Sequence, residues 1–280
     1  MKSLRTRMLD DLKVKNYAAT TINSYIYHVA SYAKHFNKSP ARLNSEDIKS
    51  YLLFLRQEKQ LSSSSINVSA CAIGFLYRVT LGYNKENITI PLPKMEKKLP
   101  VILSPEEVSH VLDQIVSLRD QAIFMTLYGT GLRVSELTHL TVGDIDSSRM
   151  MIKVNQGKGR KDRYVMLPQC LLKTLRAYWA IHRSKKWLFS GRKGRHITAQ
   201  NINQVCKNLV QAAGIRKKVT PHTIRHCFAS HLFDAGTDLR TLQILLGHRS
   251  IVTTCRYLHI SSKTIHSSKS PLEMLPHLKP

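Results

Sequence analysis

The sequence is short of acidic side chains, of paired cysteines and of long apolar runs. Asp and Glu number 18 against 43 Lys and Arg, a formal net charge of +25. A pI near 10.1 points to a polyanionic partner. The five cysteines, Cys71, Cys170, Cys206, Cys227 and Cys255, are odd in number and widely spaced. With no Cys-x-x-Cys pair they argue against a disulfide framework and a zinc ribbon, and they fit a reducing cytoplasm. No stretch reaches the ~18 uncharged apolar residues of a membrane span. Residues 1–15 carry charges but no apolar signal core. The chain is therefore expected to be cytoplasmic, with no membrane partner. No carboxylate cluster suggests a two-metal site. A Gly-x-x-x-x-Gly-Lys-Ser/Thr phosphate loop is also missing. Aromatics make up only 7%, which weighs against an RNA module built on base stacking.

What the chain does have is basic charge throughout. Residues 1–99 carry a net +9 and residues 100–280 a net +16, so neither half alone is a nucleic-acid arm. Hydrophobic residues at 42% are enough for a buried core. Residues 1–90 read as a small helical domain. Ile22, Tyr25, Ile26, Val29, Ala33 and Phe36 share one helix face, as do Ile48, Tyr51, Leu52 and Leu55 after a possible Asn44-Ser45 cap. Ile66, Ala70, Ile73 and Tyr77 mark another helix, ending near Gly82, and residues 3–15 are a further candidate. These stripes predict core and no chemistry. Three prolines and Lys94, Lys97 and Lys98 make residues 91–100 an extended basic linker. It either crosses a phosphate backbone or is simply solvated.

Residues 101–280 open on Ser104-Pro105-Glu106-Glu107, a capping box with proline at the first helical position. Helices are predicted to about Tyr128 and over 169–182, 199–213, 221–235, 238–246 and 250–257. Met150–Val154 and Arg163–Leu167 read as the arms of a β-hairpin with glycines at its tip, and Trp187-Leu188-Phe189 as a short strand. The fold class predicted is mainly α with a small antiparallel sheet.

Four short motifs carry candidate chemistry. In Gly129-Thr130-Gly131-Leu132-Arg133 the glycines end one helix and Arg133 opens the next, where it either meets an anion or pairs with Glu136 on the surface. Lys158, flanked by Gly157 and Gly159, has reach and little bulk around it. It is a proton donor or an exposed turn. His222 and Arg225 in Pro221-His222-Thr223-Ile224-Arg225 share a helix face. Together they offer a phosphate fixed donors and a proton carrier. Leu246-Gly247-His248 is followed nine residues later by Tyr257. Taken singly each pattern is common, and a lone tyrosine is usually a packing residue.

Their order is more telling. Arg133, Lys158, His222, Arg225, His248 and Tyr257 occur in one direction, and the chain thereby resembles the tyrosine recombinase (phage integrase) family, particularly its compact Xer-like members. The resemblance covers both halves. It implies an N-terminal helical core-binding (SAM-like) domain over 1–90 and an α+β catalytic domain over 101–280. It also implies a site-specific recombinase that cleaves and rejoins double-stranded DNA through a 3′-phosphotyrosine. In this reading Tyr257 is the nucleophile, Arg133 and Arg225 meet the nonbridging oxygens, and His248 adds a hydrogen bond. His222 accepts the phenol proton, dense positive charge favours the phenolate, and Lys158 protonates the leaving 5′-oxygen. No cofactor or metal is implied. The family further implies a homotetramer, or a mixed tetramer, on two DNA sites. Arg249 and the tail after Leu258 depart most from the compact pattern, which leaves the mode of subunit contact open. Type IB topoisomerase-like relaxation and non-catalytic DNA binding are the competing readings.

Overall fold

A computed structural model describes residues 3–84, 88–94, 100–155 and 162–258. The chain divides into two compact units, Met1–Lys98 and Leu99–Pro280. Part of the expected linker (residues 95–99), the expected hairpin tip (residues 156–161, with Lys158) and the tail from residue 259 lie outside the described residues.

The first unit is helical: α1 (Leu4–Val14), α2 (Ala19–Phe36), α3 (Ser45–Gln57) and α4 (Ser63–Phe75), the last widening into a π-helical turn over Leu76–Thr80. The Asn44 side chain accepts from the Glu46 and Asp47 amides, and the Asp47 carboxylate accepts from the Asn44 amide. This satisfies donors that α3 would otherwise leave orphaned. The α3 and α4 stripes are buried as their spacing predicts. On α2 only Tyr32 is fully buried. Ile22, Tyr25, Ile26 and Val29 are half-covered and pack on Met8, Leu12, Phe75 and Leu76.

The second unit contains α5 (Pro105–Asp113), α6 (Leu118–Thr130), α7 (Val134–Thr138), β1 (Ile145–Asp146), β2 (Met151–Val154), β3 (Arg163–Met166), α8 (Gln169–His182), α9 (Ala199–Ala212), α10 (Pro221–Asp234), α11 (Leu239–Leu246) and α12 (Ile251–Thr254). The Ser104 capping box forms as expected. The sheet is antiparallel in the order β1-β2-β3, with Ile152 opposite Val165 and Val154 opposite Arg163. The third strand, β1, was not expected. Trp187 makes a single bridge to Thr141 rather than the predicted strand. The last predicted helix is shorter too: α12 gives way to a 3₁₀ turn over Cys255–Tyr257.

Helix α10 runs through the core, with Ile224, Arg225, Cys227, Phe228, Ala229 and Ser230 all buried. The Leu103 amide donates to Cys227 Sγ at 3.3 Å and His231 Nε2 donates to the Leu103 carbonyl at 2.9 Å. Those bonds fix the helix against the start of the unit. A small cluster of Phe228, Ala229, Leu242, Leu246 and Tyr257 then ties α10, α11 and the final turn together. Among the described residues no helix is long and apolar enough to cross a membrane.

Candidate active site

Three arginines converge on the C-terminal end of α11. The last carbonyls of a helix have no partner within it and carry the negative end of its dipole. Here each of the final three is met by a different guanidinium. Arg163 Nε donates to the Leu245 carbonyl at 2.8 Å. Arg225 NH2 donates to that of Leu246 at 2.6 Å. Arg133 NH2 donates to that of Gly247 at 3.3 Å. Gly247 ends the helix at φ +60°, and a Cβ there would stand 2.9 Å from Arg163 NH1. The Leu-Gly-His motif is thus a helix stop that presents carbonyls to arginines.

Gly131 plays the matching part at the end of α6. Its φ is +62°, and a Cβ would fall 2.2 Å from Phe228 Cδ1. Its carbonyl accepts from Arg225 NH1 at 2.6 Å. Arg133, two residues on, is the N-cap of α7.

Glu136 holds the arginines from the other side. Its Oε1 accepts from Arg133 NH1 at 2.7 Å and Arg163 NH1 at 2.9 Å. Its Oε2 accepts from the Arg133 amide and from Arg163 NH2, both at 2.8 Å. Arg225 NH1 is 3.8 Å from the same carboxylate. The Arg133–Glu136 pair is therefore not a surface bridge, since the Glu136 side chain is only 6% exposed. Burial alone would raise this carboxyl, but the Arg163 bonds and the neighbouring charges hold it down at about 2. Burial and Arg133 push Arg225 down to about 9, which leaves it charged at neutral pH. Three guanidiniums against one carboxylate leave an excess of positive charge.

Arg133, His222, Arg225, His248 and Tyr257 line one cleft of about 280 Å³, joined by His226, Arg249 and Arg256. Lys158 lies outside the described residues, although the base of its hairpin reaches the site through Arg163 on β3. His248 Nε2 is 3.4 Å from Arg225 NH2. A guanidinium only donates, so Nε2 accepts and Nδ1 carries the proton toward Thr254 Oγ1 at 3.0 Å. Burial and then the arginines push His248 down to about 3, so the ring is neutral.

Tyr257 is 1% exposed, and its hydroxyl lies 2.8 Å from His226 Nδ1. The phenolate expected from dense positive charge is not favoured here. Burial raises the phenol pKa and outweighs the lowering by Arg225 and Arg256. His222, expected to take the phenol proton, is exposed and makes no hydrogen bond to Tyr257 among the described residues. Its ring stands 4.6 Å from that of His226. The sequence reading gave no role to His226, Arg163 or Arg256. The four-residue spacing of His222 and His226 on one helix was the available signal for the first. Among the described residues no group of three His, Cys, Asp or Glu is placed to hold a metal ion.

Two family models match the chain. The phage integrase family model covers residues 102–264 and the phage integrase N-terminal SAM-like domain model covers residues 4–85. The integrase/recombinase-type protein y4qK of Sinorhizobium fredii is 46% identical over 282 residues, spanning 100% of this chain and 92% of that protein. Tyrosine recombinase XerA of Pyrococcus furiosus is 34% identical over 287 residues, spanning 99% and 98%. The solved XerH site-specific recombinase bound to palindromic difH substrate superposes with a TM-score of 0.74 at 22% identity, over 95% of this chain and 83% of that one. That likeness shows the shared fold.

Proposed function

From the premise that the chain belongs to the phage integrase family and is a tyrosine-type recombinase, we propose that it cleaves and rejoins double-stranded DNA through a 3′-phosphotyrosine at Tyr257. The observation that carries this reading is one cleft shared by a buried tyrosine hydroxyl, Arg133, Arg225, His222 and His248. A phosphodiester is already negative, and attack concentrates charge on its nonbridging oxygens. A guanidinium has five N–H donors. Carbonyls and Glu136 take two from each arginine side chain, and others remain for the phosphate in a forked geometry. The bonds that hold the arginines are made before DNA arrives, so little reorganisation is required. His222 adds a hydrogen bond to the same oxygens, and His248, which accepts from Arg225 through Nε2, holds that guanidinium toward them. Lys158 protonates the leaving 5′-oxygen.

The phosphotyrosine conserves the bond energy of the phosphodiester, so rejoining needs no nucleotide hydrolysis, and no cofactor is proposed. Residues 1–90 and 101–280, both basic, grip the duplex, with residues 91–100 linking them. The affinity is then dominated by phosphates and falls steeply with salt. Four protomers, identical or mixed, act on two sites in cytoplasmic DNA.

The test is covalent trapping on nicked duplexes from the flanking genomic DNA, in EDTA and without ATP. A denaturation-resistant protein–DNA adduct is expected. Intact binding with no adduct on any of these duplexes, including after cell extract is added, would overturn the catalytic reading.

A further inference from the structure

We propose that His226, rather than His222, receives the phenolic proton when Tyr257 attacks DNA, and returns it when the strand is rejoined. The inference rests on the reading of Tyr257 as nucleophile. It begins with the face of α10. His222, Arg225 and His226 are spaced i, i+3 and i+4, so all three project to one side. Arg225 is 2% exposed and turns inward to the Gly131 and Leu246 carbonyls. His226 comes next along the helix, half-buried, and meets the turn that carries Tyr257. His222 lies one turn earlier and exposed.

The 2.8 Å contact has two possible directions. Either the phenol donates to Nδ1, or Nδ1–H donates to the phenol oxygen. Tyr257 is 1% exposed, and among the described residues its hydroxyl bonds to His226. If Nδ1 were the donor, the phenol proton would lack an acceptor, a costly arrangement in a buried site. The phenol therefore donates, Nδ1 accepts, and the imidazole carries its own proton on Nε2. This is the tautomer that a proton acceptor needs. Burial first, and then His222 on the same helix, Arg256 before Tyr257 and Arg225 beside it, keep the ring neutral. A bound phosphodiester adds negative charge beside the ring, which favours the imidazolium at the moment the proton arrives.

The step balances. As Tyr257 Oη forms its bond to phosphorus, the O–H proton passes to His226 Nδ1. The bond from phosphorus to the 5′-oxygen breaks, and that oxygen takes a proton from Lys158. In rejoining, the 5′-hydroxyl attacks phosphorus and gives its proton to Lys158. The Tyr257 oxygen leaves and recovers its proton from His226.

The experiment compares His226→Asn, His222→Asn and Tyr257→Phe on a nicked duplex that the unmodified protein cleaves. Asparagine places an amide near the Nδ1 position and keeps a hydrogen bond, but cannot take a proton at neutral pH. His226→Asn is expected to bind the duplex within about threefold of the unmodified protein. It should cleave about 10²–10⁴-fold more slowly, the usual contribution of a positioned acid or base. His222→Asn should lose less. Full cleavage by His226→Asn overturns the proposal, as does a loss confined to His222→Asn. An adduct surviving in Tyr257→Phe overturns the nucleophile assignment itself, and so separates the two failures. A DNA-free measurement guards against a variant that misfolds. The ¹⁵N spectrum of the histidine-labelled protein, assigned with His226→Asn, should show His226 protonated at Nε2 and bare at Nδ1. A proton on Nδ1 would overturn the proposal without any variant cleaving.

Discussion

Replacing Glu136 with glutamine should cost about 3 kcal/mol of stability at neutral pH. The carboxylate accepts from two side-chain guanidiniums and one backbone amide, and a third arginine lies 3.8 Å away. Holding a buried carboxyl at about 2, against its ordinary 4.5, corresponds to about 3 kcal/mol of preferential binding of the anion by the fold. An independent figure agrees: deleting one partner of a buried ion pair costs about 3–5 kcal/mol, because the remaining charge is left uncompensated. Glutamine also turns an N–H group toward donors that can only donate. The folded carboxyl is depressed, so its contribution is complete above pH 4.5 and is lost as pH falls toward about 2. The gap between Glu136→Gln and the unmodified protein should therefore be full at pH 7 and shrink between pH 4.5 and 2. Urea titrations across that range read it directly, and at pH 7 the melting temperature should drop by roughly 6–12 °C for a unit of this size. A gap below 1 kcal/mol at pH 7, or one that does not change with pH, would refute the placement of Glu136 as the counter-ion of the cluster.

Other outcomes follow from the same geometry. Gly131→Ala forces a left-handed residue and drives a methyl into Phe228. Thermal melts should show a loss of about 2 kcal/mol or more, with cleavage falling too because the Gly131 carbonyl seats Arg225. Arg225→Ala should nearly abolish adduct formation while gel-shift affinity stays within tenfold, and a near-normal adduct yield would remove Arg225 from phosphate activation. Lys158→Ala should cleave poorly on ordinary DNA and recover on a substrate with a bridging 5′-phosphorothiolate, whose sulfur leaves without a proton. No recovery would argue against Lys158 as the acid.

The sequence was most informative where a motif is also a local structural device. Asn44 and Ser104 announced helix starts through side chains that bond their own amides. Gly131 announced a helix stop, a turn that needs left-handed backbone, and Gly247 ends α11 in the same way. Arg133, His222, Arg225, His248 and Tyr257, scattered over more than a hundred residues, line one cleft. What stayed hidden depends on partners far along the chain. Arg163 reads as a strand residue until its bond to the Leu245 carbonyl, 82 positions away, is seen. Glu136 looks like an i,i+3 surface partner until Arg163 arrives from β3. His226 sits beside a motif residue, and only the folded turn at Cys255–Tyr257 shows what it faces. Strand β1 is two residues long, too short for alternation to register. Burial also decided against the expected phenolate, because desolvation of the Tyr257 ring outweighs its arginine neighbours.

The central claim is that one tyrosine becomes covalently joined to DNA. The most direct test is to trap the adduct, digest it with protease and nuclease, and sequence the modified peptide by mass spectrometry. The account predicts a nucleotide linked through its 3′-phosphate to Tyr257, with a free 5′-hydroxyl on the departing strand. A linkage at another residue, or through a 5′-phosphate, would contradict it.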